Sequence, residues 1–464
     1  MTTARPAAPA WLPRLLNAPG DLDLLERACA ELDEARATGA LDAAALARLQ
    51  EALATFEVRW SPPEPSRLLG LPDGRERAAR DVQMLVALYE LLGRLDGSSR
   101  ALSPARRQHL TDLVAIAGGA ENRIGPDTYR RLADLAPDFL PVYVGYNAVS
   151  KAVPTPAQLE QDVAMLRRGL DAAEALARAG DAPEHMVETA WNSLARGLTA
   201  RITRMADAAP GHDKRRTELA RAALPFAVEH AEMMRARHLE GLVPVSGRAA
   251  AEAWGLVSEL HQRMGQHDVA AAPLDAAARL DPGWSVVPAR RALLLLEVSP
   301  GDPRALGLAR EALELAGSDG AAREHRGIIM HACRRTAAAS ASHDPAGVIA
   351  VCEEALRIFR EEAYPSLAVY PLVLDVRRAD VPAPRLALLL GDVAQRLDRH
   401  VAYVAGFLKD QGLPEAPVHA QWTNLAAALR AWGEQAREGI APPGDALREA
   451  LGALEYFVSS GLLP

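Results

Sequence analysis

The sequence predicts an all-α chain: a solenoid of antiparallel helix pairs with an N-terminal helical cap or bundle. Three observations predict it. Alanine and leucine dominate and recur at helical spacing. Turn residues punctuate the chain at intervals of one or two helices, as in "AVPTP", "LDPGW", "SPGDP" and "DVPAP". Strand-like runs are nearly absent, the best being the short "AVYPLVLDV" from Ala368.

Taken in order, the first segment, 1–60, carries two amphipathic patterns. "DLDLLERACAELDEARATG" opens on an Asp cap and closes on glycine, and "ALDAAALARLQEALATFEVRW" follows. "SPPEPSRLLGLPDG" reads as the clearest loop or linker in the chain. A connecting helical segment spans 75–125; in it "SPARRQHLTDLVAIAGG" places Ser before Pro, the order of an N-cap and first helical position. From 126 to 464 the pattern is helix, short turn, helix, as expected of a repeat array.

One stretch shows the unit. "AEAWGLVSELHQRMGQHDVAAAPLDAAARLDPGW" runs from Ala251 to Trp284. Ser258, Ala270 and Ala277 are small enough to let two helices approach closely. Trp254, Leu274 and Leu280 fill the space around them, Gly265 allows the reversal, and Pro282 stops the second helix. Trp254 is expected to be largely buried. Residues 249–282 thus resemble a tetratricopeptide repeat. Val257, Ser258 and His261 stand where that pattern has Leu, Gly and Tyr. The next units follow the same logic through Ala305, Ala309, Ala312 and Leu315, then Val348, Cys352, Ala355 and Ile358.

The resemblance implies that the first helix of each unit lines a concave groove. Members that clamp acidic chaperone tails carry Lys, Asn and Arg there. This chain has Glu252, Gly255, Glu259, Gln262 and Arg263 at those places, so the resemblance does not extend to such a clamp. The candidate groove residues are Glu252, Glu259, Gln262 and Arg263, with an acidic character suited to a partner's basic segment.

Composition limits the other classes of function. The 464 residues carry a net charge of -8, which argues against a general nucleic-acid binder. Lysine occurs only at Lys151, Lys214 and Lys409; this arginine-heavy, alanine-rich usage reads as GC-rich bacterial coding. Cys29, Cys333 and Cys352 show no CxxC spacing and read as idle, buried thiols. With neither an apolar leader nor a run of membrane-spanning length, the expectation is a cytoplasmic protein with no membrane contact.

No phosphate loop, HExxH or GxSxG motif is present. No catalytic or metal-ligating residue is assigned, and no cofactor is expected. Pairs such as His230 and His238, or His331 and Cys333, have spacings that do not put ligands on one helical face. Tyr143, Tyr146 and Asn147 share one turn and read as packing or pocket lining. Arg201, Arg204, Lys214, Arg215 and Arg216 make a locally basic stretch, and Glu353–Glu354 and Glu361–Glu362 read as solvent faces. The leading expectation is a non-catalytic scaffold for a protein or peptide, its oligomeric state open. The alternatives are an enzyme or small-molecule sensor with a pocket between helices, and a detached helical arm of a bacterial regulator.

Overall fold

The structure, a computed structural model, describes the 464-residue chain except for 1–6, 62, 98–101, 119–122, 150–153, 181, 208–212, 242–244, 361–363, 379–380, 411–416, 461–462 and 464. The described residues are helical or in turns, with none in a strand. They form two compact units, Met1–Val245 and Ser246–Pro464.

In the first unit the helices are α1 (Trp11–Asn17), α2 (Leu22–Ala37), α3 (Ala43–Arg59), α4 (Pro65–Leu69), α5 (Gly74–Asp96) and α6 (Pro104–Ala117). They continue with α7 (Pro126–Leu135), α8 (Leu140–Val149), α9 (Pro156–Ala179), α10 (Glu184–Asp207) and α11 (Asp213–Glu240). Helix α5 is central, touching α2, α3, α4, α6 and α7. Its apolar residues, among them Val82, Leu85, Leu88 and Leu92, are buried on more than one side.

Caps fall where short polar side chains meet orphan N–H groups. Asp21 accepts from the Leu24 N–H at 3.2 Å, and Ser103 from that of Arg106 at 3.3 Å. Thr155 and Gln158 form a reciprocal capping box ahead of Pro156.

The "SPPEPSRLLGLPDG" stretch departs from the loop expectation. Pro65 opens the short α4, and Leu68 is buried. A methyl on Gly74 would lie 1.7 Å from the Leu68 carbonyl, so only glycine lets α5 start against this turn.

The second unit contains α12 (Gly247–Arg263), α13 (His267–Leu280), α14 (Val286–Val298), α15 (Arg304–Ala316) and α16 (Arg326–Ser340). It goes on through α17 (Pro345–Ile358), α18 (Pro365–Arg377), α19 (Ala383–Asp410), α20 (Pro417–Arg437) and α21 (Gly444–Ser459). From α12 to α20 each helix touches the next. Helices α14 and α16, α15 and α17, and α16 and α18 also touch. Contacts to the next helix and the next but one are the signature of stacked antiparallel pairs, so this is a helical repeat array.

The α12–α13 pair follows the sequence pattern closely. Ala251, Ala270, Leu274 and Ala277 are fully buried. The Ser258 hydroxyl donates to the Ala270 carbonyl at 2.8 Å and ties the two helices together. Gly265 takes φ +71° at the reversal.

One core position differs. Trp254 is half-buried and packs on the edge of this core, whereas Trp284, at the entry to α14, is 3% exposed and fills its centre. The reason is Gly255. It offers the hole into which the Trp284 ring fits, for a Cβ there would stand 2.8 Å from the indole. "AVYPLVLDV" is helical within α18, where most of its apolar residues are buried. Core packing overrides its β-branched preference.

Candidate functional site

The candidate groove residues lie on α12, and their surroundings come largely from the next first helix, α14. Glu259 sits between Arg263, one turn on, and Arg290 of α14, whose Nη2 donates to it at 2.7 Å. Burial alone would raise its carboxyl, but Arg290 and then Arg263 more than offset that and hold it at about 2. Its charge is therefore met locally. Glu252 is more open, with His325 Nε2 3.6 Å away at the cap of α16. Gln262 is half-buried, and its amide nitrogen is shielded without a hydrogen-bond partner among the described residues.

The same face continues along the array. Glu297 of α14 pairs with Arg335 of α16 at 3.1 Å, and Arg377 of α18 pairs with Glu455 of α21. Side chains of α12, α14 and α16 thus reach one another directly, which makes one polar, partly exposed face from consecutive first helices.

Arg248 at the start of α12 ties its own helix pair to the following one. It holds Asp281 at 2.5 Å and Asp319 at 3.2 Å, and lies 5.8 Å over the Trp284 ring. Ser285 donates to Asp319 at 3.0 Å. Burial works against the Asp319 charge, but the Ala321 N–H, Arg248 and Ser285 together keep its carboxyl low.

Tyr143, Tyr146 and Asn147 make internal hydrogen bonds. Tyr143 donates to the Pro137 carbonyl at 2.8 Å, and Tyr146 to Asp162. Asn147 bonds the Ser193 carbonyl at 3.0 Å and accepts from Arg201 at 2.6 Å.

Arg201 corrects the basic-stretch reading. It is 1% exposed and pairs with the buried Asp162 at 3.1 Å, so it adds nothing to a surface patch, while Lys214, Arg215 and Arg216 are exposed. Sequence offers only a weak signal for that pair, since its partners lie on different helices.

The histidines are dispersed. His230 is buried beside Thr199, whose hydroxyl donates to the Ala195 carbonyl at 3.2 Å and lies 2.8 Å from His230 Nε2. Burial, then Arg167, pushes its imidazole down to about 4. His238 bonds the Val245 carbonyl at 2.8 Å, and His325 packs edge-on against Trp284.

All three cysteines are buried and free, and burial pushes the Cys29 and Cys333 thiols up to about 12. Among the described residues no group of three or more His, Cys, Asp or Glu is placed to hold a metal ion, and no helix is long and apolar enough to cross a membrane. Glu353 pairs with Arg385 and Glu354 with Arg357; Glu361 and Glu362 lie outside the described residues.

No family model and no curated protein matches the sequence. Among solved structures, a crystal structure of the yeast Tom70 is similar over 91% of this chain and 81% of that chain, at 12% identity and a TM-score of 0.26.

Proposed function

We propose that the protein is a non-catalytic scaffold of tetratricopeptide-like type, binding a protein or peptide on the first-helix face of its second unit. The observation that carries this reading is the succession of contacts along that face: Glu259 bridges to Arg290, and Glu297 to Arg335, so side chains of α12, α14 and α16 meet in turn. An extended partner laid across several units gains small contributions from each. With Glu259 compensated by two arginines, attraction for a partner's basic segment falls mainly to Glu252. Gln262, half-buried, and Arg263, held by Glu259, form the framework beside it.

Each exposed charge pair contributes roughly 0–1 kcal/mol, so apolar contacts must carry most of the affinity. The test is capture of a partner by wild type and by Glu252→Gln at low and at raised salt. Binding that weakens several-fold in the variant, with the difference shrinking as salt screens the charge, is the expected result. Identical retention under all conditions removes Glu252 from the contact.

A further inference from the structure

A cavity of about 470 Å³ lies at the far end of the array, among α16, α18 and α21. That volume falls in the roughly 300–1,000 Å³ range of small-ligand sites. Its walls are mainly apolar, through Ala338, Val369, Val373, Leu374 and Val458. Three arginines also line it, Arg334, Arg335 and Arg377.

Two of the three are already neutralised, Arg335 by Glu297 and Arg377 by Glu455. Arg334 is not. Its contacts are long, 3.5 Å to the Leu463 carbonyl and 3.4 Å to His331 Nδ1, and no carboxylate among the described residues pairs with it. The Tyr370 hydroxyl on the same wall also makes no hydrogen bond among the described residues. Burial pushes that phenol up to about 12, so it remains a donor at neutral pH. Burial lowers the neighbouring His331 imidazole, and Arg334 and Arg335 add to the effect.

We propose that this cavity binds a small amphipathic carboxylate, its apolar body against Val373 and Val458 and its carboxylate on Arg334 with Tyr370 as a second donor. A planar guanidinium fork matches a carboxylate's two oxygens, and an apolar lining suits a single charge at one end of a hydrocarbon. The cavity shares Arg335, Arg377 and Glu455 with the polar face proposed for a partner, but its anchor, Arg334, and its ligand, which is not a polypeptide, are its own.

Decanoate is a suitable probe, measured by calorimetric titration against the full chain, with 1-decanol, decyl phosphate and an acetylated pentapeptide with a free C-terminus as comparisons. Saturable decanoate binding is expected. It should weaken at least about tenfold in Arg334→Gln and vanish in Val373→Trp, which fills the cavity. Decanol should bind at least about tenfold more weakly than decanoate and be indifferent to Arg334→Gln. No saturable decanoate binding, or equal affinity in wild type and a folded Arg334→Gln, overturns the proposal. So does clearly tighter binding of the phosphate or the peptide.

Discussion

Glu259 shows how a carboxylate that looks like a surface charge in sequence becomes part of the framework. Its carboxyl sits at about 2 in the folded protein instead of 4.5, because Arg290 and Arg263 outweigh burial. A depressed value means that the folded state holds the ionised form more strongly than the unfolded chain does. The associated stability is complete above about pH 4.5 and is lost as the pH falls towards 2, at most roughly 3 kcal/mol in all. Urea denaturation of wild type and Glu259→Gln at pH 7 and pH 3 reads this directly. The stability gap should narrow by about 2 kcal/mol at the lower pH. A gap independent of pH would mean that the two arginines do not hold the charge.

At the scale of the element, the α12–α13 pair rests on small residues at the contact and large ones around it. Trp284→Ala should cost roughly 3–5 kcal/mol, the range for deleting a large buried aromatic, and Trp254→Ala about 1–2 kcal/mol. Urea midpoints for the two variants check the order; a larger loss at Trp254 would reverse the register. The pattern of Ser258, Ala270, Leu274 and Ala277 was legible because helical spacing fixes which residues meet. Which tryptophan fills the centre was not, for that depends on how the start of α14 drops onto Gly255. The caps at Asp21 and Ser103 were legible for the same local reason, whereas "AVPTP" reads only as a turn. Helix α4 was hidden by its prolines and glycines, since it is held by burial of Leu68 and the close approach of Gly74. The ion pair of Arg201 with Asp162 joins residues on different helices, and nothing local in "ARITRM" distinguishes it from a solvated arginine.

At the scale of the whole molecule, each of the two units has its own helices and core, and the second repeats one pairing scheme. The groove residues Glu252, Glu259, Gln262 and Arg263 were found through the resemblance. The neutralisation of Glu259 was not, because Arg290 belongs to the following helix pair. The carboxylate cavity was missed altogether, since Arg334, Tyr370 and Val458 are brought together only by the return of α21 onto the array. The central claim is that the first-helix face of the second unit takes up a polypeptide partner. Its most direct test is photocrosslinking in cell lysate from a benzophenone residue at Gln262, on α12, compared with one at the exposed Ala272 on α13. A discrete crosslinked partner from position 262, absent from position 272, is the predicted result. Partner capture from 272 alone, or equally from both positions, would contradict it.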